Sequence, residues 1–330
     1  MDKFLTLTSL RRVVQLFSFI VFVYGAYLFN TFYSTDKLTQ ALPALSCAYD
    51  RQGGDYCALI PLQHQMDHRV ANIFNGADIL SSLMPTLITL GTFFILILLF
   101  NKAFCGWSCP LGFFQEVLNI VAQKLKIKQI ETLNINTIKA TRVTKWLIFL
   151  FLIFIFPILT GVGILGHEFG SAYCSICPSR ILTTLFVGDF SQIYIDSAST
   201  WYFILSLIAD LLFGLMIALA LFIKQPFCRI CPMLPLQSVF KKLSFLKLTK
   251  NGSSKCDSCK MCVKACPMDI VEIQQQAVNK NITFNDCTLC GRCVEFCPHD
   301  DVLSIKYGKF SIFKSNKEYF KKRIKIEKES

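Results

Sequence analysis

Four apolar runs alternate with polar stretches along the 330 residues, near 13–33, 80–100, 145–165 and 202–223. Each is about twenty residues, the length that crosses a hydrocarbon core of roughly 30 Å. The first is too long for a secretory leader and has no small-residue cleavage site, so it reads as a retained anchor. These runs explain a chain that is 53% hydrophobic with 31 Phe, a balance rare in soluble enzymes. The pattern predicts a four-helix membrane domain over 1–244, a compact cysteine-rich domain over 245–310, and a basic tail over 311–330.

Charge adds an orientation. Lys3, Arg11 and Arg12 precede the first run. Lys102, Lys124, Lys126, Lys128, Lys139, Arg142 and Lys145 fall between the second and third. The other two loops hold only Lys37, Arg51, Arg69 and Arg180. Cationic loops stay on the cytoplasmic side, so both termini and the cysteine-rich domain are expected there, in a multi-pass protein of a bacterial inner membrane. Most of the net charge of +12 is this asymmetry. Lipid headgroups or solvent account for the basic end "KKRIKIEKES", and no nucleic-acid partner is expected.

The sixteen cysteines then dominate. "CDSCKMCVKACP" and "CTLCGRCVEFCP" both have the spacing C-x2-C-x2-C-x3-C-P. Three closely spaced thiolates wrap one face of a cubane, and the fourth reaches the neighbouring cluster. The spacing assigns Cys256, Cys259, Cys262 and Cys297 to one [4Fe–4S] cluster, and Cys287, Cys290, Cys293 and Cys266 to another. Two zinc sites are the alternative, but zinc ligands rarely recur in this compact form. The alternation in "IVEI" and "ITF" suggests short strands between the clusters. The fold class is therefore an α-helical integral membrane protein with a C-terminal α+β double [4Fe–4S] ferredoxin domain of bacterial type.

The other eight cysteines lie at the ends of the apolar runs. "FCGWSCPLGFFQEV" follows the second run and "FCRICPMLPLQSV" the fourth. In both, a cysteine pair leads into Pro and then an amphipathic stretch, with Gln115 matching Gln237. This predicts a duplicated two-span unit, with Cys105, Cys109, Cys228 and Cys231 near one another and the amphipathic helices lying along the interface. A redox pair or a further cluster is the leading role for these four, since a cysteine before a helix start is readily ionised. Cys174 and Cys177, with Cys47 and Cys57, are expected on the opposite face, as disulfides or as another metal centre. One or two further clusters or metal centres are thus open.

Taken together, four spans, "CGWSCP" after the second, a second Cys-pair-Pro after the fourth and the double ferredoxin motif resemble the membrane polyferredoxins of the NapH and NosR type. The resemblance covers roughly residues 10–310. It implies an electron-transfer component of a quinol dehydrogenase rather than a stand-alone enzyme. Electrons would come from quinol or a cytoplasmic donor. They would pass, through partner ferredoxin or cytochrome c subunits, toward a periplasmic reductase for nitrate or nitrous oxide. The family's Cys-x3-Cys-Pro falls on Cys105, Cys109 and Pro110. The shorter Cys228-x2-Cys231 and the cysteines at 47, 57, 174 and 177 depart from the pattern. Relatives with a similar motif reduce copper or assist metal-centre assembly, which is the alternative function.

Five further polar residues bear on quinol chemistry or metal binding. His167 and Glu168, at the outer end of the third run, are candidates for taking a quinol proton. Asp210 sits inside the fourth run, where a carboxylate is costly and turns toward the bundle. His64 and His68 share a face if that stretch is helical, and read as ordinary loop histidines rather than ligands.

Overall fold

Caps and turn residues set the ends of the long helices. Asp78 Oδ2 accepts from Ser81 N at 3.2 Å, Asn134 Oδ1 from Asn136 N at 3.3 Å, and Ser199 Oγ from Tyr202 N at 3.4 Å. Each cap satisfies an N–H group that the first helical turn leaves unpaired. The structure is a computed structural model. It describes residues 6–29, 59–130, 132–188, 190–193, 195, 197, 199–251, 255–275 and 281–329.

The main helices, in chain order, are α1 Leu7–Phe29, α2 Leu59–Gln65, α3 Ile79–Phe100, α4 Pro110–Lys124, α5 Ile135–Leu150, α6 Phe156–Gly161, α7 Pro178–Val187, α8 Thr200–Phe222, α9 Met233–Phe240 and α10 Lys317–Glu329. A π turn over Phe151–Ile155 joins α5 to α6. It absorbs the amide that Pro157 lacks. Four stretches are long and apolar enough to cross a membrane: α1, α3, α5 through α6, and α8. Leu87 and Ile95 on α3, and Leu207 and Leu211 on α8, leave their side chains exposed, as a face toward lipid requires.

The third span begins at Ile135 rather than near 145. Its first turns carry Lys139, Arg142 and Lys145, whose charges mask the helix in a hydropathy reading. These cations do structural work. Arg142 Nε meets Asp286 Oδ2 at 2.5 Å, Arg142 Nη1 meets Glu272 Oε1 at 2.6 Å, and buried Lys145 pairs with Asp286 Oδ1. The helix thus projects past its apolar part and grips the C-terminal domain.

That domain carries a three-stranded antiparallel sheet in the order β1 (Leu246–Lys250), β2 (Leu303–Tyr307), β3 (Phe310–Lys314). The stretches expected as strands are otherwise: Glu272 and Ile273 of "IVEI" open a helical turn that runs to Gln275, and "ITF" only follows the isolated bridge Asn281–Thr249. The residues after 310 do not form a loose tail. They supply β3 and α10, and Phe313 and Tyr319 pack ring to ring at 5.4 Å.

The domain docks on one end of the bundle. Phe245 N donates to Leu98 O at 2.8 Å, and Arg229 Nη2 pairs with Asp269 Oδ2 at 2.8 Å. Buried Glu295 accepts from Thr8 Oγ1 and meets Arg323 Nε at 3.4 Å. The start of α1, the ends of α3 and α8, and the start of α5 therefore meet the domain together.

Asp286 is the electrostatic hinge of this junction. Burial pushes its carboxyl up, but Lys145 and Arg142 outweigh that and hold it below 3.8. A carboxylate held down in this way stabilises the docked state fully above its unfolded pKa of about 4. That stability is lost as pH falls through the lower folded value. Asp286→Asn is expected to cost about 3–5 kcal/mol, since it leaves buried Lys145 unpaired. The cost is read as a lower bleaching temperature of the visible iron–sulfur absorbance in detergent.

Candidate iron–sulfur centres

The tight turns of the C-terminal domain place eight cysteines in two groups. Cys256, Cys259, Cys262 and Cys297 line one small cavity with Lys250, Pro298 and Val302. Cys266, Cys287, Cys290 and Cys293 line a second, with Met268, Ile270 and Ile305. Each group takes three cysteines from one motif and the fourth from the other. The turns that do this use left-handed residues: Ser258 at φ 59°, Lys260 at 61°, Leu289 at 51° and Gly291 at 78°. Strained backbone of this kind persists where the surroundings over-determine it. Burial pushes the thiols up, Cys262 to about 11, Cys266 to about 12 and Cys287 to about 11. Four thiols facing one another ionise together only around a compensating cationic core, and coordinated thiols are deprotonated outright. The donor sets fit iron–sulfur clusters.

The second motif group forms a third site. Cys105, Cys109, Cys228 and Cys231 line one cavity with Phe104, Leu111, Tyr173 and Phe227. Cys177 lines the same cavity. This corrects the placement of Cys174 and Cys177 on an opposite face. The chain after α6 folds back into the bundle, and α7 packs against α1, α4 and α8. Ile181, Leu182, Thr183 and Thr184 of α7 are buried, although they read as loop. Cys174 sits one turn away, where Gln63 Nε2 of α2 donates to its Sγ at 3.0 Å. The Tyr173 hydroxyl lies 3.9 Å from both Cys177 Sγ and Cys231 Sγ. Cys47 and Cys57 lie outside the described residues.

Helix starts supply the electrostatics of this cavity. Cys109 and Cys177 cap α4 and α7, each with Pro at the first helical position. Pro loses no needed donor there. Backbone N–H groups of Leu111 and Gly112 face Cys109, those of Ser179 and Arg180 face Cys177, and that of Met233 faces Cys231. Three helix N-termini thus converge on one sulfur group and favour negative charge there. Against them, burial pushes Cys177 and Cys231 up to about 11. An iron–sulfur cluster with thiolate ligands carries net negative charge, and this arrangement fits one.

The duplication read from the sequence is visible as an exchange of side chains. Gln115, fully buried, donates from Nε2 to Cys228 Sγ at 3.5 Å. Its counterpart Gln237 accepts at Oε1 from Cys105 Sγ at 3.2 Å. Each repeat therefore polarises the first cysteine of the other. Gln115 Oε1 also accepts from Phe227 N at 3.0 Å. The helix carrying Gln115, α4, is held by the bundle through a polar face. Its Gln115, Glu116 and Asn119 are buried, and it packs on α1 and α8. Glu116 accepts from Arg11 Nη2 at 2.6 and 2.7 Å. Burial raises the Glu116 carboxyl, but Arg11, Arg292 and Arg12 together hold it low.

Nothing in the motif spacing announces Gly106, which joins the second and third sites. A Cβ there would meet Thr288 O and would stand 3.1 Å from Cys290 N and Cα. Trp107 Nε1 donates to Leu289 O at 3.0 Å. Lys102 Nζ donates to Phe284 O at 2.9 Å, Asn285 O at 2.6 Å and Ser238 Oγ at 2.8 Å. The "CGWSCP" turn is therefore pressed directly on the cysteine loop of the C-terminal domain. The only sequence signal was a glycine between two cysteines.

The remaining candidates lie elsewhere. His167 and Glu168 form a short turn after α6. The helix from Lys145 to Gly161 rises about 24 Å, so they sit far from the docking face. His167 Nε2 pairs with Tyr202 OH at 3.0 Å, and Glu168 Oε1 accepts from Ser199 Oγ at 3.2 Å. The His64 and His68 rings do share a face, 4.3 Å apart, with Asp67 Oδ2 at 3.5 Å from His68 Nε2. Asp210 on α8 lies within electrostatic reach of Arg180 on α7.

Known proteins match this layout. One family model, a 4Fe-4S binding domain, matches twice, at residues 83–128 and 205–250, so the two Cys-pair-Pro segments are copies of one module. A 4Fe-4S dicluster domain matches residues 248–310. An uncharacterized protein of Methanocaldococcus jannaschii is 28% identical over 53% of this chain and 63% of its own length. YccM of Escherichia coli, whose name assigns it to electron transport, is 29% identical over 56% of this chain and 46% of its own. The regulatory protein NosR of Stutzerimonas stutzeri is 25% identical over 58% of this chain and 23% of its own. The chain thus spans less than two thirds of these relatives. No solved structure matches it. With its repeated 4Fe-4S modules, its four helices of membrane-spanning length and its NosR and YccM relatives, the chain is similar to the membrane iron–sulfur electron-transfer proteins of the NapH and NosR type.

Proposed function

We propose that this chain is the membrane subunit that passes electrons from the quinol pool, or from a cytoplasmic donor, toward a periplasmic reductase such as one for nitrate or nitrous oxide. In this reading the C-terminal domain is cytoplasmic and holds two [4Fe–4S] clusters at the two cysteine groups described above. Cys105, Cys109, Cys228 and Cys231 hold a third, with Cys177 beside it. Each cluster, when bound, supplies reversible one-electron transfer.

The observation that carries the reading is the contact at Gly106. It puts the membrane cysteines against the Thr288–Cys290 loop with no side chain between. The second and third cysteine groups then meet across one backbone contact, and the first shares its two cysteine motifs with the second. The protein's part is to fix that arrangement. Ion pairs of Arg142, Lys145 and Arg229 hold the domain, Gln115 and Gln237 set the polarity at the sulfurs, and apolar walls exclude water.

The test is to reconstitute the anaerobically purified chain in vesicles and add a reduced menaquinone or ubiquinone analogue. Bleaching of the iron–sulfur absorbance supports the reading. Bleaching by dithionite but by neither quinol refutes the quinol donor.

A further inference from the structure

We propose that the cleft between α1 and α3, at the end of the bundle that carries the C-terminal domain, is a binding site for the ring of an isoprenoid quinone. This deepens the reading above and rests on it. The cleft encloses about 720 Å³, within the range of small-molecule sites. Leu10 and Phe22 of α1 form one wall, and Phe93, Ile97 and Phe100 of α3 the other. Its floor is Trp107 and Gln237, with Leu289 of the C-terminal domain.

Three observations select the occupant. The first is an unmet hydrogen bond. Asn101 lines the cleft and is buried, and its Oδ1 has no partner while its Nδ2 donates to Leu246 O at 2.7 Å. A buried acceptor left unpaired costs about 1–3 kcal/mol. A lipid acyl chain has no donor to offer it, whereas a hydroquinone has two O–H groups. Asn101 also holds a strained left-handed backbone, φ 53° and ψ −128°, where α3 ends. Strain of this kind collects at ligand sites.

The second is the wall chemistry. Phe22, Phe104, Trp107 and Phe313 line the cleft with aromatic rings, a lining suited to a planar ring. Exposed Leu10, Phe100 and Ile312 flank the cleft, and an isoprenoid chain leaves between the two spans into hydrocarbon.

The third is position. Gln237 bonds Cys105 Sγ, and Trp107 bonds Leu289 O between Cys287 and Cys290. A ring in the cleft touches residues bonded to both the second and the third cysteine group. Oxidation there converts one quinol to quinone with release of two protons and two electrons. Clusters held by the second and third cysteine groups would each supply a one-electron acceptor for that pair of electrons, and the protons would leave to interfacial water. The cleft, not His167 and Glu168, then provides the quinol site.

The experiment is photolabelling of the whole purified protein in vesicles with an azido-ubiquinone, mapped by mass spectrometry. It is paired with quinol-dependent reduction kinetics of two variants: Leu99→Trp, which fills the cleft that Leu99 of α3 also lines, and Asn101→Gly, which keeps the backbone and deletes the acceptor. Label on peptides of 7–22 and 96–107, displaced by excess decylubiquinone, is expected. So is a KM for quinol at least about tenfold higher in both variants, with dithionite reduction unchanged. Label around 160–205, or a KM raised by His167→Ala and not by the two cleft variants, overturns the site while leaving the quinol reading intact. Label that excess quinone does not displace means a lipid chain occupies the cleft, and also overturns it. If no quinol reduces the wild-type protein, the reading and the site fall together.

Discussion

Gly106→Ala is expected to uncouple the C-terminal domain from the membrane cysteines. The side chain added is one methyl group, and what it meets is backbone: Thr288 O, and Cys290 N and Cα at 3.1 Å. Backbone cannot rotate aside as a long side chain would. The Gly106 carbonyl is held as well, by Gln15 Nε2 at 3.1 Å and Arg11 Nη1 at 3.5 Å, so the turn cannot retreat easily. The methyl therefore moves the domain. Overpacking of this kind costs typically 1–3 kcal/mol, roughly. The functional loss is the larger effect, because the contact it opens lies between two cysteine groups. The iron of the two C-terminal sites should be retained. Electron exchange between them and the membrane site should slow, as followed by stopped-flow absorbance after quinol addition. Unchanged kinetics in a folded variant would remove Gly106 from the route.

Cys231→Ser is expected to empty the membrane site. Its thiol lies in the cavity shared with Cys105, Cys109 and Cys228, and Met233 N faces it from the start of α9. With four thiolates per cluster, the variant should lose about four irons and keep about eight. Cys177→Ser is the informative partner. Cys177 stands in the same cavity but outside the duplicated module, which matches 83–128 and 205–250 only. Its serine variant should keep the iron. If Cys177→Ser loses the iron and one of the other four does not, the ligand set is wrong.

The two levels of the molecule differ in how plainly the sequence shows them. The ferredoxin cysteines are legible because their ligands are local: x2 and x3 spacings force thiols onto one tight turn. The spans are legible because a bilayer demands about twenty apolar residues. Span three was displaced at its start because Arg142 and Lys145 are there to grip Asp286, a tertiary role that hydropathy reads as loop. Cys177 was misplaced because the depth of a loop depends on packing. The Thr183–Thr184 pair and the short apolar stretch of α7 give no sign that they fold back against α1 and α4. The basic end reads as lipid-bound or solvated, yet Arg323 within it meets Glu295, and Tyr319 just before it packs on Phe313. The match of Gln115 to Gln237 was visible as repetition. Its meaning, each repeat touching the other's cysteine, needed the fold.

The central claim is that the membrane cysteines hold a cluster continuous with those of the C-terminal domain. It is tested most directly by iron and acid-labile sulfide per chain, on protein purified without oxygen. The account predicts about twelve of each, three clusters of four. A value near eight, with Cys105, Cys109, Cys228 and Cys231 all alkylated as free thiols, would contradict it.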